Sequence, residues 1–337
     1  MMKNSSKIRI GVLGAANIAI RSLIPEIQNL PNKFEFVGIG TRHPENLEDN
    51  GSNAYTLYKG YESILEQNIL DAVYIPLPNS LHYTWVKKAL KKGLHVLVEK
   101  SLACKYEEVK ELNEIAKESN LALVENFQFR FHSQLFEITK IINDDIIGDI
   151  RSIKTTFCFP PFPDSDNIRY KKELGGGALL DAGAYPIKLS QILMGPDIYI
   201  TSAKSNFNSN FDVDIWGGGM LEQKNGKLFS QFSFGFDNFY QCNLEVVGSK
   251  GKIYTNRIFT AKESFKPKLI LETNDDGLRE IELAPDNHFR NMLNYFYELA
   301  MGVHDKSIEY SQNNNQARLL EEFKLRLVAI GFKIIKI

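Results

Sequence analysis

The sequence predicts an α/β domain, built on a doubly wound parallel sheet, followed by an α+β domain that carries a large, mostly antiparallel sheet. Three observations lead there. Up to residue 126, short apolar runs alternate with segments of helical spacing, which is how parallel strands covered on both faces read. A turn of small residues, Gly14-Ala15-Ala16-Asn17-Ile18-Ala19, follows the first of those runs and opens a helix. From Arg151 onward extended stretches dominate, several of them alternating apolar and polar residues as a sheet with one wet face requires. At 337 residues the chain is long for a single core, and it is divided into domains 1–126 and 127–337.

In the first domain the strands are Lys7–Leu13, Phe34–Gly40, Ala72–Ile75, Leu94–Val98 and Leu121–Val124. The helices between them are Ile18–Leu30, which stops before Pro31, Tyr61–Gln67, Ser80–Lys92 and Tyr106–Ser119. Ser80 is the expected N-cap of its helix, and Gly93 stands just past the end. The second domain opens with a helix over His132–Asn143. Eight extended stretches follow, at 151–159, 198–207, 217–223, 228–236, 242–249, 251–259, 266–273 and 279–284. An apolar helix, Ala178–Leu193, lies between the first two, and two more, Phe289–Met301 and Asn313–Ile330, close the chain. The prolines of the loop Phe159–Asn167 suggest a stiff connection rather than a linker.

Composition sets limits on function. A net charge of -1 offers no global field for nucleic acid or an anionic membrane, so an anionic ligand must be held by a local site. The N-terminal MMKNSSKIRIGVLG has no apolar core with a cleavage signal, and no run of about 18 apolar residues occurs. Cys104, Cys158 and Cys242 are far apart and odd in number, and the histidines are scattered. Reduced thiols in a cytoplasmic protein without a bound metal are expected.

The turn at Gly14 is a variant of the dinucleotide fingerprint. Its first small residue allows the tight turn, its second lets backbone approach a pyrophosphate, and its third packs helix on strand. The helix N-terminus then presents N–H groups to phosphate oxygens, which makes Gly14, Ala15, Ala16, Asn17 and Ile18 candidate contacts and the domain Rossmann-like. A dinucleotide lacking the 2′-phosphate usually meets an Asp or Glu at the end of the second strand. This chain has Gly40-Thr41-Arg42-His43 instead, and a guanidinium suits a phosphate dianion. NADP(H) is therefore the expected cofactor, with NAD(H) as the alternative. Thr41, Arg42, Pro76, Leu77, Asn79, Glu99 and Lys100, near the ends of strands and in the turns that follow, and His82, in the first turn of the helix that starts at Ser80, complete the candidate cofactor set.

Two clusters carry the chemistry. Glu99-Lys100-Ser101 stands at the end of the fourth strand, on the edge that faces a cofactor. The glycine-rich segment Gly175-Gly176-Gly177 leads into a helix with Asp181 and Tyr185 four residues apart, hence on one face. A carboxylate and a phenol presented together can bind a sugar and move a proton.

The fingerprint, the Glu-Lys motif and GGGxLxDxGxY in a β-rich second domain together resemble the Gfo/Idh/MocA oxidoreductase family, over essentially the whole chain. Residues 11–19, 74–85, 132–134, 160–170 and 175–188 look most like the sugar-nucleotide C-3 ketoreductases of deoxysugar pathways. The resemblance implies NADPH-dependent reduction of a keto group, at C-3, of a nucleotide-linked keto-deoxyhexose. It implies that Lys100 contacts the nicotinamide ribose and the substrate carbonyl, that Tyr185 or Lys100 donates the proton, and that Asp181 orients the sugar. A free tyrosine titrates near pH 10, so an adjacent ammonium would ease that transfer. The family motif is Glu-Lys-Pro with a bond that is commonly cis. Here Ser101 replaces the proline, so either the Lys100–Ser101 bond is trans and Lys100 is re-aimed, or the bond is cis.

For a sugar nucleotide, Arg169 and Lys171 are candidates for the diphosphate, and Phe159, Phe162, Tyr170, Phe236 and Tyr240 for packing on sugar or base. The substrate-binding set is thus Arg169, Tyr170, Asp181, Tyr185 and Tyr240. The resemblance also implies a homodimer or homotetramer. Two further readings stand beside this one. One is a dehydrogenase of the same family acting on a free sugar or a dihydrodiol, and the other is a non-catalytic NADP(H)-binding sensor.

Overall fold

The computed structural model describes residues 7–48, 56–208 and 210–334. The chain divides into two compact units, Met1–Asn126 with Phe289–Asn314, and Phe127–His288 with Asn315–Ile337.

The first unit is built on a six-stranded parallel sheet. Its strands are β1 (Ile8–Leu13), β2 (Phe34–Thr41), β3 (Leu57–Lys59), β4 (Ala72–Ile75), β5 (His95–Glu99) and β6 (Leu123–Asn126), in the order β3-β2-β1-β4-β5-β6. β4 and β6 are buried at every position and β1 at all but one, the burial expected of strands covered on both faces. The order turns back between β1 and β4, and ligand crevices open at such a point, beyond the carboxyl ends of the strands. Residues 17–28 form one helix with a π-turn at Ala19–Leu23 that runs into α1 (Ile24–Gln28). α2 (Glu45–Glu48), α3 (Tyr61–Leu65), α4 (Asn79–Lys91) and α5 (Tyr106–Glu118) follow. α4 starts one residue earlier than expected, with Pro78 rather than Ser80 at its N-cap. The short edge strand β3 has no counterpart in the sequence reading, because three partly exposed residues carry no periodicity.

The second unit is an eight-stranded sheet. β7 (Ile150–Cys158), β8 (Ile198–Asn208), β9 (Val213–Gln223), β10 (Phe229–Gly235), β11 (Gln241–Gly248), β12 (Gly251–Thr255), β13 (Lys268–Thr273) and β14 (Gly277–Glu282) correspond to the eight extended stretches. Their order is β14-β13-β12-β11-β7-β10-β9-β8, and β7–β10 is the parallel pair in an otherwise antiparallel sheet. Register puts Phe157, Phe234 and Cys242 in one row and Thr155, Phe232 and Leu244 in the next, all buried. Alternating residues such as Lys154, Gln231 and Ser233 are exposed on the other face. α6 (Ser133–Asn143) is capped by His132, whose Nδ1 accepts the Gln134 N–H. α7 (Ala184–Met194) is almost wholly buried against β7 and β10.

Two helices close the chain, α8 (His288–Ala300) and α9 (Ser307–Ile334). These compact units differ from the division at 127–337 in one respect, since Phe289–Asn314 groups with the first unit. Arg290 on α8 pairs with Glu26 at 2.8 Å, and the Tyr297 ring meets Phe34 edge-on. At the start of α9, Asn313 donates to the Leu123 carbonyl and Tyr310 to that of Leu121. Further along the same helix, in the second unit, Phe323 packs against Phe232 and Phe234. No described helix is long and apolar enough to cross a membrane.

Candidate active site

β1 delivers the chain into the turn at Gly14, whose N–H donates to the Gly40 carbonyl at 2.9 Å. Gly14 has φ +110°, and a Cβ there would stand 2.7 Å from Leu77 Cδ2. The position therefore demands glycine by backbone conformation, and any side chain there would also have to displace the Leu77 methyl. Ala15, Ala16 and Ile18 remain partly accessible and Asn17 exposed, as a phosphate-facing first turn requires. At the end of β2, Thr41 is buried and Arg42 is exposed, with its guanidinium over the Tyr61 ring at 5.9 Å. A cradle that a side chain would fill, followed by an accessible cation beside the second strand, fits a phosphorylated dinucleotide.

Beyond β5, the Lys100–Ser101 peptide bond is cis. Its surroundings hold the motif from several sides. The Ser101 N–H donates to Asn79 Oδ1, and the Leu102 N–H donates to the Glu125 carboxylate. Glu99 Oε1 accepts from the Tyr74 hydroxyl at 2.7 Å and from Asn126 Nδ2 at 2.6 Å. Glu99 and Asn126 end adjacent strands and Tyr74 is the penultimate residue of the next, so the sheet itself aligns them. His82, expected among the cofactor contacts, braces the turn. It is fully buried, and its two ring nitrogens lie 2.7 Å from the carbonyl oxygens of Leu77 and Ser101. Burial pushes its pKa down to about 4, while the two carbonyls pull the other way by favouring a proton on each nitrogen.

In the second unit the glycine-rich segment is held by a residue absent from the sequence reading, Asp214 on β9. Its Oδ2 accepts the Leu179 N–H at 2.6 Å, at the start of a π-turn (Leu179–Gly183) that runs into α7. Gly177 has φ +109°, and a Cβ on it would collide with Asp214 Oδ1, so glycine is what lets the carboxylate reach the turn. Burial holds the Asp214 carboxyl above its ordinary pKa, opposed by the backbone N–H groups it accepts. Asp214→Ala is expected to lower stability by about 1–3 kcal/mol, the usual cost of a charge-assisted bond together with the donor left unpaired. A thermal midpoint equal to wild type would contradict this.

Asp181 lies in that π-turn, and its Oδ2 accepts from Arg169 Nε at 2.7 Å. The structure thus brings together two residues expected to act separately on sugar and diphosphate. Arg169 also lies over the Phe162 ring, and Lys171 is paired with Asp166. Tyr170 is buried, accepts the Phe162 N–H on its hydroxyl and stacks on Phe211, so it also shapes the loop. Phe159, Phe162 and Phe236 form one cluster. The Tyr240 hydroxyl is shared with Thr260 at 2.8 Å and Arg257 at 2.7 Å, and Arg257 also escaped the sequence reading.

Tyr185 sits in the first turn of α7, 7% exposed, with its ring against Phe127, Phe129, Phe157 and Phe259 at centroid distances of 5.0–5.8 Å. The phenol oxygen lies 3.4 Å from both amide heteroatoms of Gln128, another residue missed in sequence. Lys188, one turn further along α7, is buried with its ammonium 5.6 Å from the Phe127 ring centre. A phenol fixed by four rings, its oxygen turned to a polar group, has the chemistry to donate a proton.

Comparison with known proteins agrees with this geometry. The Gfo/Idh/MocA oxidoreductase family model, an NAD-binding Rossmann fold, matches residues 8–127, and the Gfo/Idh/MocA C-terminal domain model matches 136–254. The dTDP-3,4-didehydro-2,6-dideoxy-α-D-glucose 3-reductase of Actinomadura kijaniata is 33% identical over 94% of this chain and 95% of its own. D-Xylose 1-dehydrogenase (NADP(+)) 2 of Haloferax volcanii is 29% identical over 84% of this chain and 86% of its own. Among solved structures, KijD10, a 3-ketoreductase from Actinomadura kijaniata in complex with NADP and TDP-benzene, superposes with a TM-score of 0.88 at 32% identity, covering 95% of this chain and 97% of that one. The chain belongs to the Gfo/Idh/MocA family and is an NAD(P)-dependent oxidoreductase.

Proposed function

We propose that this enzyme reduces the C-3 keto group of a nucleotide-linked keto-deoxyhexose with NADPH. The observation that carries the reading is the fixed phenol of Tyr185, in a chain alike from end to end to a 3-ketoreductase that takes NADP and a TDP ligand. Gly14 to Ile18 hold the pyrophosphate, and Arg42 holds the 2′-phosphate. Bound there, the reduced nicotinamide supplies a hydride to the carbonyl carbon. Tyr185 gives its hydroxyl proton to the oxygen as negative charge grows on it, and the resulting phenolate is reprotonated from water. The Lys100 ammonium stabilises that developing charge. Asp181, with Arg169 as its ion-pair partner, orients the sugar. The enzyme acts in the cytoplasm as a homodimer or homotetramer, which sedimentation of the purified protein would test.

Loss of NADPH absorbance with TDP-linked ketosugars, free aldoses such as D-xylose and dihydrodiols tests the substrate class. Turnover confined to the nucleotide ketosugars is expected. Turnover of free sugars alone would replace this reading with a free-sugar dehydrogenase, and no turnover of any carbonyl alongside normal NADPH binding would make the protein a sensor. Arg42→Ser is expected to raise the Kd for NADPH about tenfold, the loss of one exposed charge-assisted contact, and to leave the Kd for NADH unchanged. Equal weakening of both would remove Arg42 from the 2′-phosphate.

A further inference from the structure

We propose that Gln128 is a second hydrogen-bond donor to the substrate, reading the carbonyl adjacent to the one reduced and so selecting vicinal dicarbonyls. This rests on the ketoreductase reading and names a residue that sets its specificity.

The argument starts from the short turn Gln128–Phe131 that follows β6. Phe127 and Phe129, on either side of Gln128, are fully buried, and both rings touch Tyr185. They also contact each other edge-on, and Phe129 packs on Phe259. The backbone at residue 128 is thus anchored on both sides by the same aromatic cage that fixes the phenol. Gln128 is the partly accessible member of the trio, and its amide is set beside the Tyr185 oxygen.

The contact is loose. Both amide heteroatoms lie 3.4 Å from the phenol oxygen, whereas a well-formed bond to a hydroxyl is near 2.8 Å. An amide nitrogen carries two donor hydrogens. The pair therefore offers two donors on one side of the site, the phenol O–H and the amide N–H, about as far apart as the two oxygens of adjacent carbonyls in one ring. Tyr185 donates to the oxygen that becomes the alcohol. Gln128 Nε2 donates to the neighbouring carbonyl oxygen, and by drawing density from it makes the reacting carbon more electrophilic. A substrate without the second carbonyl leaves that donor unused.

The test compares two TDP-linked sugars, a 3,4-diketo-2,6-dideoxyhexose and its 3-keto analogue lacking the 4-carbonyl, with wild type, Gln128→Met and Gln128→Glu. Both variants keep side-chain length while removing the donor. An NADPH Kd near that of wild type shows that each variant is folded. Loss of one hydrogen bond should lower kcat/KM for the diketo sugar by about 10- to 100-fold. That loss should exceed the loss on the analogue at least tenfold in both variants. Equal losses on the two sugars would make Gln128 a support for Tyr185 alone and overturn the proposal, as would no loss on either. A wild type that reduces neither sugar would instead overturn the ketoreductase reading, and this inference with it.

Discussion

Tyr185→Phe is expected to lower kcat by about 10²–10⁴, the usual worth of a positioned general acid, with little change in the Kd for NADPH. The substitution removes one oxygen and keeps the ring, and the ring is what the cage of Phe127, Phe129, Phe157 and Phe259 holds. Packing in α7 should survive, so the thermal midpoint should stay close to wild type. Pre-steady-state turnover under saturating NADPH would isolate the chemical step. Retention of wild-type kcat would mean that the proton comes from elsewhere, and Tyr185 would then be a packing residue.

Lys100→Met is expected to cost about 10²–10³ in kcat, the range seen when one group that stabilises a growing oxyanion is removed. The size of the effect follows from how firmly the motif is held. Leu102 is tied by Glu125, Ser101 by Asn79 and His82, and Glu99 by Tyr74 and Asn126. Methionine keeps the length of the side chain, so the loss reports charge rather than shape. If Lys100 and Tyr185 serve one oxygen, the double variant should lose much less than the product of the two single losses, because groups that act as a unit are not additive. Multiplying losses would assign them to separate steps.

The parts of the fold that were legible in sequence are those with a strong period. All eight extended stretches of the second unit became strands of one sheet, since alternation along each strand is a local signal. β3 was missed because it is short and half-exposed. The placement of Phe289–Asn314 was missed because an amphipathic helix declares that it has a buried face but not which sheet receives it. The site divides along similar lines. Gly14 and the Lys100 and Tyr185 motifs stand in contiguous patterns. Asp214, Gln128, Arg257 and Asn126 act through partners brought close only by folding, and nothing in their neighbours along the chain marks them. A buried aromatic or histidine reads the same as an exposed one, which is why the burial of Tyr170 and His82 and their hold on loops were not legible in sequence.

The return of α8 and the start of α9 to the first unit bears on how this protein is made. Synthesis runs from the N-terminus, so all six parallel strands leave the ribosome long before Arg290, Tyr297, Tyr310 and Asn313 exist to meet Glu26, Phe34 and the carbonyls of Leu121 and Leu123. Until then part of that sheet's cover is missing. The cofactor-binding unit should therefore gain protease resistance late, with the emergence of the last helices rather than with its own final strand.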